Sequence, residues 1–164
     1  MRGQIELYSL LDKLEIRFEY HEHPLLFTIE EAISHWKDYN SGKCKNIFFR
    51  NHKGNRHYLV ILEHLRQLDI HDLEKRLRQG KLTFASDQRL RKYLGLEPGS
   101  VSPFGLINDI EKHVHLFIDE KLNHVDCLTF HPNDNRASLV ISKSDFIRFL
   151  DYTGNSYEFI KLYD

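Results

Sequence analysis

The sequence has few features that could cross-link the chain by disulfides or hold it in a membrane. Only two of its 164 residues are cysteines, Cys44 and Cys127, which is too few for a disulfide framework and fits a reducing compartment. Its longest apolar runs are about five residues, as in YLVIL at 58–62, so no segment is expected to span a membrane. The polar opening MRGQIELYSLLDK is predicted to form a helix, not a signal peptide. We therefore expect a soluble, cytoplasmic protein whose own hydrophobic core stabilises it.

The common signatures of catalysis and cofactor binding are missing too. The sequence has no GxSxG, no HExxH, and neither of the phosphate-binding patterns GxGxxG and GxxxxGK. The chain has eleven histidines, including the pairs HEH at 21–23 and HVH at 113–115, but no further ligands stand at metal-site spacing. Cys44 lies between two lysines but begins an apolar strand, where a cysteine is more often part of the core. We expect no metal, no cofactor and mostly surface histidines.

Charge is unevenly distributed along a chain whose net charge is −1. Residues 43–92 contain thirteen Lys and Arg but five Asp and Glu, so the remainder of the chain is acidic. A surplus of this size permits one basic face on a neutral protein, as a phosphate-bearing partner requires. The same charges would also suit solvated helix surfaces. Charge alone does not decide between these two interpretations.

Apolar spacing and turn residues predict a mixture of helices and strands. The clearest element is a hairpin of 45–50 and 57–63, joined by NHKGN, whose Asn and Gly favour the left-handed turn positions. A helix is expected over 7–14, and further helices begin at capping residues. Those capping residues are Thr28, Asp69, Ser86 and Ser142. Further strands are expected at 16–20, 114–119, 127–132, 138–142 and near the C terminus. The fold class is therefore α+β, one domain over residues 1–164 with a mixed, mainly antiparallel sheet and peripheral helices.

Three segments hold the remaining candidates for function. Lys45 precedes the apolar run 46–49, the nonapeptide EPGSVSPFG occupies 97–105, and His131 lies in FHPNDN at 130–135. Each has an ordinary structural interpretation: a strand-edge lysine that discourages aggregation, a linker between domains, and a turn histidine before proline. The nonapeptide could equally be a rigid loop shaped around a ligand. None of these segments decides the function by itself.

Taken together, four stretches resemble the prolyl-tRNA editing proteins. This superfamily includes the YbaK-type deacylases and the editing domain inserted in many bacterial prolyl-tRNA synthetases. The stretches are EHPLLFTIEEA (22–32), KCKNIFFRNHKGNRHYLVIL (43–62), LTFASDQRLRKYLGLEPGSVSPFGLIND (82–109) and FHPNDNRASLVISKSDFIRFL (130–150). The first and third look most like the alanine-specific branch, often called ProXp-ala or PrdX. The resemblance implies hydrolysis of Ala-tRNA(Pro), without a cofactor and with help from a hydroxyl of the substrate's own ribose.

The resemblance also implies roles for individual residues. Lys45 would be the essential lysine, and the backbone amides of Gly99 and Ser100, in a GxxxP loop that ends at Pro103, would hold the ester carbonyl. His131 would set the size limit of the aminoacyl pocket. The other pocket residues implied are Phe27, Thr28 and Asn46. The cations expected to bind tRNA are Lys43, Arg50, Lys53 and Arg56.

Two departures from the family pattern concern substrate detail and tRNA docking. NIFFR at 46–50 lacks the threonine–leucine pair common after the family's lysine, and LEHLRQLDIH at 62–71 replaces a glycine-bearing turn. The alternatives are therefore a deacylase for Cys-tRNA(Pro) or another small aminoacyl-tRNA, and a non-catalytic module that binds tRNA or a synthetase. The expected partners are mischarged tRNA(Pro) and, as a further option, prolyl-tRNA synthetase.

Overall fold

A mixed β-sheet with helices packed against it runs through the chain. The computed structural model describes residues 1–24, 42–63 and 66–164, with the backbone alone at 42 and 43. The helices are α1 (Ile5–Lys13), α2 (Ile70–Leu77), α3 (Asp87–Leu94) and α4 (Lys143–Thr153), with short 3-10 helices η1 (Pro103–Asn108) and η2 (Glu120–His124). The strands are β1 (Glu19–Glu22), β2 (Gly42–Asn51), β3 (His57–Glu63), β4 (Leu82–Phe84), β5 (His115–Asp119), β6 (Cys127–Phe130), β7 (Ala137–Ser142) and β8 (Tyr157–Ile160).

The strand order is β1-β7-β6-β2-β3-β5-β8, with β4 also paired to β2. Four of these pairings are antiparallel, β1 with β7, β7 with β6, and β2 with both β3 and β4. Three are parallel, β2 with β6, β3 with β5, and β5 with β8. This confirms the predicted α+β class and its mixed sheet. Strand β2 lies at the centre, between the antiparallel β6–β7 half and the β3–β5–β8 half.

Strand β2 separates two hydrophobic cores. Its residues Cys44 and Phe48 are buried in the larger core, which α1, α3, η1 and α4 also enter. Phe49 of the same strand is buried in a smaller core with Leu73 and Leu77 of α2. Because successive side chains of a strand point to opposite faces, neighbours in β2 belong to different sides of the sheet.

The β2–β3 hairpin is confirmed, but its turn works differently from the prediction. Gly54 adopts the left-handed conformation, with φ +72°. Asn51 does not; instead its side-chain Oδ1 accepts hydrogen bonds from the backbone N–H groups of Asn55 and Arg56. An asparagine side chain that bonds the backbone ahead of it closes a turn without needing a strained φ.

The predicted caps at Asp69, Ser86 and Ser142 are confirmed, since each side chain accepts a backbone N–H of its helix. Helix α2 ends at Arg78, which takes the left-handed conformation, and not at Gly80. The predicted first strand begins three residues later than expected, at Glu19. The short elements β4, η1 and η2 were not predicted, because they are too brief to carry a periodic pattern. The helix predicted after Thr28 falls outside the described residues.

None of the helices in the described ranges has the length and apolar character needed to cross a bilayer.

Candidate active site

A narrow pocket lies where β2, β6 and β7 run side by side. Its volume is about 10 Å³, close to the lower limit for holding one water molecule. Its walls come from residues far apart in sequence, which the parallel pairing of β2 with β6 and the antiparallel pairing of β6 with β7 bring together. The lining residues are Cys44, Asn46, Thr129, Phe130, His131 and Ser138. Two of the predicted site residues, Asn46 and His131, therefore share one pocket.

His131 has a defined tautomer. Its Nδ1 lies 2.8 Å from the carbonyl oxygen of Ala137, and because a carbonyl can only accept, Nδ1 carries the proton. Burial lowers the pKa of His131, and the hydrogen bond to Ala137 opposes that shift without cancelling it. The ring is consequently neutral at pH 7, and its Nε2 is a hydrogen-bond acceptor.

A second histidine, His23, stands behind this one. Its ring centroid is 6.0 Å from that of His131, its Nδ1 lies 3.0 Å from the Pro24 carbonyl, and its Nε2 lies 2.9 Å from Ser138 Oγ. Since the carbonyl accepts from Nδ1, the Ser138 hydroxyl donates to Nε2. His23 is 6% exposed, so the expectation of a surface histidine is wrong for this residue. Its sequence neighbours are polar, and burial here comes from the pairing of distant strands.

Asn46 brings an unsatisfied acceptor to the same pocket. Its Oδ1 is buried and has no hydrogen-bond partner in the described part of the chain. Buried polar atoms are nearly always paired, so an unpaired one calls for an explanation. A donor from a bound substrate would supply the missing partner.

Lys45 is directed elsewhere. It is the strand neighbour of Asn46, so the alternation of β2 sends its side chain to the opposite face of the sheet. There, its Nζ donates a hydrogen bond of 3.3 Å to the backbone carbonyl of Arg66. The structure therefore does not bring the ammonium group of Lys45 together with Asn46 and His131 in the pocket.

Residues 97–102 of the nonapeptide form a loop after α3, and its last three residues begin η1. Ser100, Ser102 and Phe104 are buried, which favours the rigid loop over a linker. Pro98 and Gly99 form the centre of a turn in which the N–H of Ser100 donates to the Glu97 carbonyl at 3.1 Å. With Gly99 at φ +89°, this is the geometry of a type II turn, which favours Pro followed by Gly. The Ser100 hydroxyl bonds the same carbonyl at 2.8 Å. The amide of Ser100 is thus used inside the turn, contrary to the expectation that it would hold the ester.

This loop rests against the segment that carries His131. A Cβ added to Gly99 would lie 3.1 Å from the side-chain nitrogen of Asn135. Phe104 packs edge-on against Phe130, with ring centroids 5.8 Å apart. Pro103, buried, begins η1 and anchors the loop's far end. The fold therefore places Gly99 and Phe104 of this loop beside the 130–135 segment.

A basic groove lies at the hairpin end of β2. It has a volume of about 420 Å³ and contains Lys53, Arg56 and Lys81, with no carboxylate among its lining residues. Its other walls are Asn51, His52, Asn55, Tyr58, Gln79 and Gly80. The five-residue path along β2 from Asn46 to Asn51 spans about 17 Å at the rise of an antiparallel strand. The groove is thus well separated from the narrow pocket.

The groove contains two of the four cations that were predicted to bind tRNA. Lys53 and Arg56 line it, and Lys81 was not foreseen because the turn that contains it is 25 or more positions away in sequence. Arg50 is instead occupied, since its guanidinium donates to the backbone carbonyls of Asn51 and His52. The side chain of Lys43 lies outside the described part of the structure.

Two further predicted pocket residues, Phe27 and Thr28, fall in the range 25–41, outside the described residues.

Comparison with known proteins relates the chain to a family. A family model described as the aminoacyl-tRNA editing domain matches residues 23–149, a range that contains the pocket, the 97–105 loop and the basic groove. The chain is 38% identical over 162 residues to the prolyl-tRNA editing protein ProX of Acetoanaerobium sticklandii, and the match covers 99% of both chains. It is 34% identical over 155 residues to the mouse prolyl-tRNA synthetase associated domain-containing protein 1, covering 92% of this chain and 90% of the relative.

The fold is also similar to that of a solved structure. A protein described as a candidate trans-editing enzyme for prolyl tRNA synthetase superposes with a TM-score of 0.67 at 21% identity. The superposition covers 98% of this chain and 99% of the other. At 21% identity the similarity shows a shared fold and no more.

Proposed function

Because the chain belongs to the family of aminoacyl-tRNA editing domains, and so is an aminoacyl-tRNA deacylase, we propose that its substrate is tRNA(Pro) charged with alanine. Full-length similarity to a protein named for prolyl-tRNA editing supports the tRNA. The observation that carries the choice of amino acid is the narrow pocket of Asn46 and His131. The pocket has room for about one water molecule, so it must widen for any aminoacyl group, and it needs to widen less for a methyl side chain than for a pyrrolidine ring.

An editing site compensates for a physical limit on the selectivity of the synthetase's own amino-acid pocket. A synthetase pocket built for proline cannot strongly reject a smaller apolar amino acid, because one missing methylene is worth only about 1–3 kcal/mol. An editing site that is too small for proline rejects the correct product by steric exclusion. Accuracy then depends on the two sites together.

The polar atoms of the pocket suit a primary ammonium group. The α-ammonium of alanine has three N–H donors, and Asn46 Oδ1 and His131 Nε2 are two acceptors in one pocket. Proline, a secondary amine, has one fewer donor and a ring attached to the same nitrogen. Recognition of the ammonium would therefore favour alanine through hydrogen bonding as well as through size.

The proposed reaction is hydrolysis of the ester between the amino acid and the terminal ribose. Water adds to the carbonyl carbon, the bond from that carbon to the ribose oxygen breaks, and a proton passes to the leaving oxygen. In the described structure the N–H of Gly99 has no hydrogen-bond partner, so it is the backbone donor proposed for the carbonyl oxygen. The resemblance assigns activation of the water to a ribose hydroxyl of the substrate.

Lys45 is proposed to act outside the pocket. Its side chain leaves β2 on the other face of the sheet from Asn46, beside the carbonyl of Arg66. An ammonium there can hold the terminal phosphate or the ribose, and so fix the position of the ester at the pocket mouth. This is a binding role and not a proton-transfer role.

The basic groove is proposed to bind the tRNA backbone. Lys53, Arg56 and Lys81 line it without an opposing carboxylate, and phosphate contacts from such residues supply most of the non-specific affinity for nucleic acid. Its distance from the pocket suits the acceptor stem rather than the terminal nucleotide.

We also propose that residues 1–164 form one editing domain, since the sheet includes strands from both ends of the chain. The translation substrate implies a cytoplasmic location, with prolyl-tRNA synthetase as an optional partner.

The proposal is tested by deacylation of Ala-, Cys-, Ser- and Pro-tRNA(Pro) by the wild type, Lys45→Ala and Lys45→Arg. We expect rapid loss of alanine, slow loss of proline, and a fall of about 10–100-fold in kcat/KM for Lys45→Ala, since one lost positioning contact has that effect. Lys45→Arg should retain part of the activity because it keeps the charge. Faster hydrolysis of Cys-tRNA(Pro) than of Ala-tRNA(Pro) would make cysteine, and not alanine, the amino acid of the substrate. Turnover of none of the four would overturn the proposed substrate, and full activity in Lys45→Ala would overturn the lysine's role.

A further inference from the structure

Gln4 joins three segments that are far apart in the chain. Its side-chain Nε2 donates to Asn108 Oδ1 at 2.8 Å, and Asn108 Nδ2 donates back to Gln4 Oε1 at 3.1 Å. The same Oε1 accepts a second hydrogen bond, of 2.9 Å, from Asn133 Nδ2. One amide therefore links the end of η1 to the segment that follows His131.

The backbone around Gln4 makes the same connection. The N–H of Gln4 donates to the Pro132 carbonyl at 3.3 Å. Gly3, at φ +112°, lies so close to that carbonyl oxygen that an added Cβ would clash with it. A side chain at this position could not be accommodated without moving the 131–135 segment. The first residues of the chain are thus packed tightly against the residue that follows His131.

The side chain of Gln4 does not serve its own helix. Gln4 is the N-cap residue of α1, where Ser, Thr, Asp or Asn would normally accept a backbone N–H of the first turn. Its side chain makes no such bond. The amide is directed to the two loops instead, so a contribution to starting the helix does not account for it.

Both partners of Gln4 are fixed to segments that carry candidate site residues. Asn108 ends the 3-10 helix that Pro103 begins, and its Nδ2 also bonds the Leu94 carbonyl at 2.8 Å. Asn133, two residues after His131, takes a left-handed backbone with φ +65°, and its Nδ2 also contacts the Phe104 carbonyl at 3.4 Å. A movement of Gln4 would therefore be transmitted to the loop of Gly99 and to the segment of His131.

We propose that Gln4 is a positioning residue that holds the GxxxP loop and the His131 segment at a fixed separation, and so fixes the position of Gly99 relative to the pocket that His131 lines. The inference rests on the proposed deacylase function. It assigns to the N-terminal segment a role in selecting the amino acid, although Gln4 touches neither the pocket nor the reacting atoms. Loosening this clamp should lower turnover of alanine and weaken the exclusion of proline.

The test compares Gln4→Ala and Gln4→Ser with the wild type. Serine removes the contacts with Asn108 and Asn133 but provides a normal N-cap, so it separates helix stability from loop positioning. For both variants we expect kcat for Ala-tRNA(Pro) to fall about tenfold with little change in KM, as for displaced reacting groups. The ratio of the deacylation rate of Ala-tRNA(Pro) to that of Pro-tRNA(Pro) should fall together with kcat. Glu6→Ala is the matched control, because Glu6 is exposed in the first turn of the same helix and should leave both values unchanged.

A second readout needs no tRNA. The imidazole ¹⁵N resonances of His131 should shift in both Gln4 variants and stay in place in Glu6→Ala. Wild-type kcat and selectivity in a stably folded Gln4→Ser would overturn the proposal, as would unchanged His131 resonances. If Gln4→Ala fails to fold, Gln4→Ser alone decides. A wild type that hydrolyses none of the aminoacyl-tRNAs would refute the proposed substrate, while the resonance comparison would still test the clamp.

Discussion

Lys45 and Asn46 are neighbours in β2, yet their side chains lie on opposite faces of the sheet. Asn46 belongs to the narrow pocket with His131, whereas Lys45 reaches the carbonyl of Arg66. The essential lysine implied by family resemblance and the pocket are thus separated by the thickness of one strand. A substrate that uses both must reach across the strand, with its amino acid on one side and its phosphate or ribose on the other.

Removing the side-chain amide of Asn46 should lower the activity without lowering the stability. A buried acceptor without a partner costs about 1–3 kcal/mol, so Asn46→Ala should leave the free energy of unfolding unchanged or higher. The same acceptor is proposed to bind the substrate ammonium. The kcat/KM of Asn46→Ala for Ala-tRNA(Pro) should therefore fall by at least about tenfold, the equivalent of about 1.4 kcal/mol. Urea denaturation and deacylation kinetics on one preparation measure both. A variant that is less stable yet fully active would contradict the assignment.

Gly99 and Gly154 offer a matched pair of substitutions. Both have a left-handed backbone, at φ +89° and φ +81°, so alanine at either position adds similar strain of about 1–2 kcal/mol. A Cβ at Gly99 would meet Asn135, while one at Gly154 meets nothing within 4 Å. We expect Gly99→Ala to lose activity and Gly154→Ala to keep it, at similar losses of thermal stability. Equal activity in the two variants would show that the reaction does not depend on the free space beside the Cα of Gly99.

The sequence predicted the elements that depend on local chemistry. The serine caps at Ser86 and Ser142 and the hairpin turn at Gly54 are short-range features, and all three are present. The burial of His23 and His57 was missed, because it depends on strands that meet only in the folded sheet. The contacts of Gln4 with Asn108 and Asn133 were missed for the same reason, since they join residues 104 and 129 positions apart.

Family resemblance, more than pattern, predicted the candidate site residues. It assigned Asn46 and His131 to one aminoacyl pocket, and in the structure both line the same pocket, while their roles there stay predictions. It could not predict that the Ser100 amide would be consumed by its own turn, because that depends on the conformation of Pro98 and Gly99. Strand alternation in β2 could have predicted the opposed directions of Lys45 and Asn46.

The basic groove predicts a salt dependence that can be assigned to residues. If Lys53, Arg56 and Lys81 each neutralise a phosphate, each alanine substitution should reduce the slope of log K against log salt by about 0.7–0.9. Lys13→Ala is the control, because Lys13 contacts Tyr152 on α4 and lies outside the groove. Binding of uncharged tRNA at several salt concentrations gives the slopes. Slopes that are the same for all four variants and the wild type would place the tRNA elsewhere.

His57 is a buried histidine that should make stability depend on pH. It is 1% exposed, its Nδ1 lies 2.8 Å from His113 Nε2, and its Nε2 lies 3.0 Å from the Arg89 guanidinium. Since a guanidinium can only donate, Nε2 accepts and the proton is on Nδ1. Burial, together with the smaller effects of the neighbouring His113, Arg89, Lys92 and Arg50, lowers the pKa of His57 to about 4. The ring is therefore neutral in the folded protein at pH 7.

The sign of the effect follows from the two pKa values. Between the unfolded pKa of about 6.5 and the folded pKa of about 4, the unfolded chain binds a proton that the folded protein does not. Stability should be fully present above pH 6.5 and decrease as the pH falls towards 4. At pH 5 we expect the free energy of unfolding to be about 1–2 kcal/mol lower than at pH 7, after allowance for solvent screening. His115 and His131, whose pKa values burial also lowers, act in the same direction.

His57→Gln isolates the contribution of this one ring. Glutamine can still donate to His113 and accept from Arg89 but cannot titrate, so the variant should unfold with a weaker dependence on pH than the wild type. Urea denaturation at pH 7, 6 and 5 measures the slope, which should decrease by up to about one proton. His71→Gln is the control for exchanging a histidine for a glutamine, because His71 is exposed on α2. An identical slope in wild type and His57→Gln would show that the buried histidine is protonated in the folded protein, and that its neutral hydrogen-bonded arrangement is wrong.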